Sequence, residues 1–221
     1  MAALYFFLLG LSTGLVVLTL SACRRVSPVW LRTLLVLTGL FIASRYVAMA
    51  LFAAADDPQR VWGWRHSWFA TSLGLPLTAA VAVDQLIRHP AMTPMKLLRW
   101  LAPFLAVYAV VIIAAPVTAA PDRVAGWTLH LTPGWQRLLG LTHLLFTASF
   151  LTVSVLLMRK MPSAPIRIAL GGLAAGFVLL AVDGVLSALG LWYFRPYLFS
   201  ELLTLFAIWH AYDTASSLSS A

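Results

Sequence analysis

The chain has 221 residues, of which 62% are hydrophobic and only 10% are charged, and its formal net charge is +8. A soluble domain contains about 25% charged and about 45–50% apolar residues, so this composition excludes a soluble domain of useful size. The single cysteine excludes an internal disulfide and a cysteine-rich metal site. We therefore predict one all-α, polytopic membrane domain over residues 1–221.

Seven apolar segments, separated by short polar or proline-containing turns, predict a bundle of seven transmembrane helices. A helix needs about 20 predominantly apolar residues to cross a bilayer. The predicted helices span residues 3–22, 29–55, 66–87, 97–119, 138–158, 166–192 and 197–212. Apolar and polar residues alternate from Trp127 to Leu131 in the longest connection. We predict that this connection, residues 121–137, is an interfacial loop on the membrane surface.

Basic residues are divided unequally between the two ends of the predicted bundle. The turns after the first, third and fifth helices contain nine: Arg24, Arg25, Arg32, Arg88, Lys96, Arg99, Arg159, Lys160 and Arg167. The other turns contain five: Arg60, Arg65, Arg123, Arg137 and Arg195. Because loops rich in Lys and Arg stay on the cytoplasmic side, we expect the N-terminus outside and the C-terminus in the cytoplasm of a bacterial inner membrane. The positive charge sets this topology and does not indicate nucleic-acid binding.

Small residues and one carboxylate share a face of the sixth predicted helix. At about 100° per residue, Gly172, Gly176 and Asp183 fall on one narrow stripe. Small residues in the G-x-x-x-G spacing allow another helix to approach closely. A carboxylate in hydrocarbon is costly, so Asp183 should face the protein interior and have a partner there.

Four ionisable residues on four different predicted helices lie at a similar depth in the membrane. A rise of about 1.5 Å per residue, counted from the helix ends, places Arg45, His143, Asp183 and Glu201 in the outer half of the membrane. This coincidence predicts an intramembrane site for a substrate or an ion, formed by these four residues. The sequence contains no recognisable catalytic motif, and we predict no cofactor and no metal ligands.

The charges of these four residues constrain what such a site can do. Arg45 stays protonated in any protein site, so it can neutralise one of the two acids. The other acid then requires a proton, a bound cation or a protonated His143. A buried Arg–acid pair that only fixes helix packing is the alternative interpretation of the same residues.

The leading functional hypothesis is a carrier for a small solute or ion, coupled to protons, whose rocking is allowed by helix kinks at Pro76, Pro103 and Pro116. A ligand-sensing or accessory subunit that acts through a protein partner or a second copy is the first alternative. An intramembrane enzyme or a b-type haem protein, with His66 and His143 as haem ligands, is the second. An enzyme is the least well supported of these classes, and the lipid bilayer is the common partner of all.

Overall fold

The structure is a computed structural model that describes residues 2–89, 92–122, 126–189, 191 and 197–218. Over these residues the chain forms seven α-helices and one β-hairpin. The helices are α1 (Ala2–Ala22), α2 (Val29–Ala54), α3 (Ala70–Ile87), α4 (Pro94–Ala114), α5 (Pro133–Lys160), α6 (Ala164–Ala188) and α7 (Leu198–Leu218). The strands are β1 (Val117–Asp122) and β2 (Gly126–Leu131). The predicted helical class is therefore confirmed, with a hairpin added to it.

Within the described residues, six helical stretches are long and apolar enough to cross a membrane. They are Ala2–Arg25, Val29–Ala54, Ser67–Ile87, Pro94–Ala114, Pro133–Lys160 and Ala164–Ser187. Helix α7 is not one of them, because Glu201, His210 and Asp213 lower its apolar content. The count of seven membrane spans and their orientation remain predictions. Arg123 and Arg195, which enter the predicted charge balance, lie outside the described residues, as does the end of the predicted helix 166–192.

The connection between α4 and α5 differs from the prediction. Helix α4 ends at Ala114, not at residue 119, and α5 begins at Pro133, not at residue 138. Ala115 is extended because the residue before a proline, here Pro116, avoids the helical conformation. The predicted loop 121–137 is largely replaced by the antiparallel pair β1–β2, in which Val117 faces Leu131. The alternation of apolar and polar residues from Trp127 to Leu131 therefore indicates a β-strand.

The hairpin is attached to the end of α2. The Trp127 indole Nε1 donates a hydrogen bond of 3.1 Å to the carbonyl oxygen of Ala55, and Leu129 is buried. Gly126 has a φ of +64°, and a Cβ at that position would lie 2.6 Å from the carbonyl oxygen of Ala53. Only glycine adopts this conformation and permits this approach without strain.

Gly126→Ala is expected to loosen the hairpin, since a left-handed conformation costs a residue with a Cβ about 1–2 kcal/mol. Amide hydrogen exchange along β2 should become roughly tenfold faster, because local opening becomes easier by about that free energy. Gly134→Ala is the matched control, because nothing lies within 4 Å of a Cβ at Gly134. Unchanged exchange in Gly126→Ala would contradict the attachment.

Each helix packs against the next along the chain, and α7 closes the bundle against α1, α3 and α6. Helices α3 and α7 bury the largest shares of their described residues and touch each other at the centre of the bundle. The Tyr212 hydroxyl on α7 donates a 2.9 Å hydrogen bond to the carbonyl oxygen of Thr78 on α3. The polar composition of α7 is therefore accommodated by burial within the protein.

Prolines begin or interrupt several of these helices. Pro94 and Pro133 occupy first-turn positions of α4 and α5, where a missing N–H is not needed. Pro76 and Pro103 lie inside α3 and α4. Pro116, predicted as a third kink, lies between α4 and β1 and interrupts no helix.

Candidate intramembrane polar site

A buried ion pair joins α2 to α7. Arg45 Nε lies 3.0 Å from Glu201 Oε2, and Arg45 Nη2 lies 2.8 Å from Glu201 Oε1. Arg45 is 6% exposed and Glu201 is 3% exposed. The two parallel contacts form the bidentate geometry in which a guanidinium binds a carboxylate most strongly. Of its two predicted acidic partners, Arg45 therefore binds Glu201.

Two hydroxyl groups complete the surroundings of Glu201. The Thr71 hydroxyl on α3 donates to Oε1 at 2.8 Å, and the Tyr46 hydroxyl on α2 donates to Oε2 at 3.4 Å. Each carboxylate oxygen thus receives two donors, and an ionised carboxylate has about four acceptor sites. Glu201 therefore links α2, α3 and α7 through one fully hydrogen-bonded group.

The second acid is adjacent to this ion pair. The Ser200 hydroxyl donates to Asp183 Oδ2, and Ser200 precedes Glu201 on α7. Asp183 is 9% exposed. Two consecutive residues of α7 therefore make these contacts: Ser200 binds Asp183 on α6, and Glu201 binds Arg45 and Tyr46 on α2 and Thr71 on α3.

The glycine face of α6 brings Asp183 to this position. A Cβ at Gly176 would lie 2.9 Å from Thr204 Oγ1 and 3.1 Å from Thr204 Cα on α7. A Cβ at Gly172 would lie 3.7 Å from the Ala207 side chain. The predicted close approach of another helix to this face is confirmed, and the approaching helix is α7.

The helix ends explain why these side chains meet. Glu201 and Thr71 lie in the first turns of α7 and α3, and Asp183 lies about 8 Å before the end of α6. Arg45 lies about 14 Å before the end of α2. All these ends are at the same end of the up-and-down bundle, so three of the four predicted residues share one level. We call Arg45, Tyr46, Thr71, Asp183, Ser200 and Glu201 the polar cluster.

Buried aromatic side chains pack in the same part of the bundle as the polar cluster. Phe52, two turns beyond Arg45 on α2, is fully buried and packs edge-on against Trp68, with ring centroids 5.5 Å apart. Tyr5 on α1 is also fully buried, and Arg45 and Glu201 are each more than nine tenths buried. The ion pair therefore lies in a region of low polarity, where its electrostatic interaction is stronger than in water.

His143, the fourth predicted residue, has a different neighbour. Its Nδ1 lies 3.1 Å from the Tyr108 hydroxyl on α4, and the two rings are 4.9 Å apart between centroids. The same interface continues through a cluster of aromatic rings from α4, α5 and α6: Trp100, Phe104, Phe146, Phe150 and Phe177. A role for His143 beside the polar cluster stays a prediction.

The two histidines considered as haem ligands each use one ring nitrogen within the protein. His66 Nδ1 lies 2.8 Å from the carbonyl oxygen of Ile112, as His143 Nδ1 lies beside Tyr108. Within the part of the chain that the structure describes, no group of three or more His, Cys, Asp or Glu residues could hold a metal ion. The haem hypothesis stays a prediction.

Sequence reasoning missed three members of the polar cluster: Tyr46, Thr71 and Ser200. Two of them are direct sequence neighbours of a predicted residue, Tyr46 of Arg45 and Ser200 of Glu201. The two neighbours lie about 100° around the helix from the charge beside them, so the shared-face pattern does not indicate them. Polar residues immediately beside a buried charge would have been the useful signal.

The length and apolar character of six helices are those of a multi-pass integral membrane protein. In comparisons with known proteins, no family model and no curated protein matches this chain. The polar cluster itself is therefore the basis for a functional proposal.

Proposed function

We propose that the protein is a carrier of a small solute or ion, coupled to protons, in a bacterial inner membrane. One observation supports this proposal above the others: two carboxylates and an arginine are buried at one level, where consecutive residues of α7, Ser200 and Glu201, contact Asp183 and Arg45. Ionisable residues inside a membrane domain are costly, and they commonly mark ion pathways and proton relays. We propose Arg45, Asp183 and Glu201 as the site, with His143 as a relay.

The hydrogen bonds of Glu201 suggest how such a site would work. Transfer of a proton from Asp183 to Glu201, whose contacts lie on consecutive residues of α7, would remove the counter-ion of Arg45 and free its guanidinium for an anionic solute. It would also weaken the contacts that tie α7 to α2 and α3. Movement of one helix group against another is the usual basis of alternating access. Pro76, inside the buried α3, provides a position for bending.

Asp183→Asn is expected to abolish proton flux while the protein stays folded, because the amide fills the same space but cannot exchange a proton. The measurement is the pH inside proteoliposomes after an external acid step, reported by an entrapped dye, with valinomycin and potassium to balance charge. Asp213→Asn is the matched control, since Asp213 is an exposed carboxylate on α7. Full flux in Asp183→Asn, beside a wild-type flux above that of empty liposomes, would contradict the proposal.

A sensing or accessory subunit is the second candidate, and the attachment of the hairpin favours it. The hairpin contacts the end of α2, and α2 also contributes Arg45 to the ion pair. A ligand or partner held by the hairpin would therefore act on the helix that contacts Glu201. Stoichiometric co-purification of a partner, without proton flux, would support this candidate over the carrier.

A further inference from the structure

A basic groove lies at the opposite end of the bundle from the polar cluster. It is an open surface depression lined by Arg24, Arg32, Thr33 and Val36. Arg24 belongs to the short turn after α1, and the other three residues belong to the first two turns of α2. No acid is among these four residues. The groove therefore offers two cations to a ligand without a competing carboxylate.

A hydrogen bond attaches the Arg32 side chain to the turn that carries Arg24. Arg32 Nη1 donates a 3.0 Å hydrogen bond to the carbonyl oxygen of Arg24, which uses one of the five N–H groups of its guanidinium. Arg24 is exposed, and Arg32 is half-buried. Guanidinium groups bind phosphate oxygens in a planar, bidentate manner. The remaining N–H groups of both arginines match the requirements of a phosphodiester.

The groove continues into an apolar surface along α2. Arg32, Val36 and Leu40 are four residues apart and share one face of the helix. Leu40 is 56% exposed and lies about 12 Å from Arg32 along the helix axis. The phosphate of a phospholipid would contact the arginines, and its acyl chain would lie along the apolar residues that follow. The headgroup and hydrocarbon layers of a bilayer have the same order.

We propose that this groove binds the headgroup of an anionic phospholipid, with the phosphate between Arg24 and Arg32 and one acyl chain along Val36 and Leu40. Clusters of basic residues at the cytoplasmic edge of a membrane protein attract anionic lipids, with about 1 kcal/mol for each Lys or Arg near the surface. The groove is separate from the polar cluster, so the proposal does not depend on the function proposed above.

The experiment compares two double variants of equal charge in the intact protein. Arg24→Gln/Arg32→Gln removes both cations of the groove, and Arg159→Gln/Arg167→Gln removes two cations from another turn at the same end. Each protein is purified in detergent, and native mass spectrometry counts bound phosphatidylglycerol during a titration. We expect the groove variant to bind about 30-fold more weakly than wild type, the equivalent of about 1 kcal/mol per lost arginine, and the other variant to bind within about twofold of it.

A lysine double variant and a zwitterionic lipid serve as two further controls. Arg24→Lys/Arg32→Lys keeps the charge but loses the bidentate geometry, so its affinity should lie between those of wild type and the glutamine variant. Binding above that of the glutamine variant separates a lost site from a protein that fails to fold. Phosphatidylcholine should bind equally weakly to all variants. Equal loss of phosphatidylglycerol in both glutamine variants would overturn the proposal in favour of general surface charge. Displacement of the lipid by millimolar inorganic phosphate would overturn it in favour of a site for free phosphate.

Discussion

Arg45→Gln is expected to destabilise the folded protein by about 3–5 kcal/mol, because Glu201 would remain buried without its counter-ion. Glu201→Gln should cost a similar amount, since it leaves the buried Arg45 uncompensated. The double variant Arg45→Gln/Glu201→Gln should recover most of the loss, because it removes both charges together. The free energy of unfolding is measured by denaturant titration in mixed micelles with tryptophan fluorescence.

The double-mutant cycle isolates the energy of the ion pair from the effects of each single substitution. Arg167→Gln and Asp213→Asn are matched controls for the changes in charge, and each should stay within about 0.5 kcal/mol of wild type. Single variants of Arg45 and Glu201 that fall within that same range would contradict a buried, coupled pair. A double variant that regains stability and keeps proton flux would mean that the pair only fixes helix packing.

Gly176→Leu is expected to separate α6 from α7 and to reduce the fraction of folded protein. Even a Cβ at this position would lie 3.1 Å from the backbone of Thr204, which cannot move without moving α7. Overpacking of this kind costs about 1–3 kcal/mol or more. Gly176→Ala should fall at the low end of that range. Both are measured by the fraction of monodisperse protein after detergent extraction and by denaturant titration.

Gly140→Leu is the matched control, because a Cβ at Gly140 on α5 has nothing within 4 Å and the residue is exposed. It should be extracted and unfold like wild type. A larger residue at position 176 can also displace the polar cluster, because Asp183 and Ser200 lie beyond Gly176 on the same pair of helices. Proton flux measures this effect separately from the loss of folded protein. A folded Gly176→Ala with normal flux would show that the polar cluster tolerates a small displacement of α6.

The parts of the fold that the sequence predicted are those set by local composition. The apolar run after Pro28 predicted α2 almost to the residue, and the small residues at Gly172 and Gly176 predicted a close helix contact. The hairpin was missed because residues 117–119 are apolar enough to be assigned to the preceding helix. Strand pairing depends on two segments together, so neither segment alone indicated it.

The sequence predicted the depth of the candidate site in the membrane but not the direction in which each side chain points. Counting helical rise places Arg45, His143, Asp183 and Glu201 at similar heights, yet height does not say which side of the bundle a residue occupies. His143 is directed towards Tyr108, whereas Glu201 is directed towards Arg45. The choice of Glu201 over Asp183 as partner of Arg45 likewise depends on how α7 is rotated against α2, which no single helix specifies.

The ion pair has a consequence for the biosynthesis of the protein. Arg45 and Glu201 are separated by 156 positions along the chain, so the arginine enters the membrane long before its counter-ion is synthesised. An arginine near the middle of a helix costs about 2.5–3.5 kcal/mol on insertion, and that cost persists until α7 arrives. Because α7 also contacts α1, α3 and α6, its arrival completes the charge balance and the packing in one step. A nascent chain that lacks α7 would carry an unneutralised arginine, and this is the kind of defect by which membrane quality control could recognise an unfinished molecule.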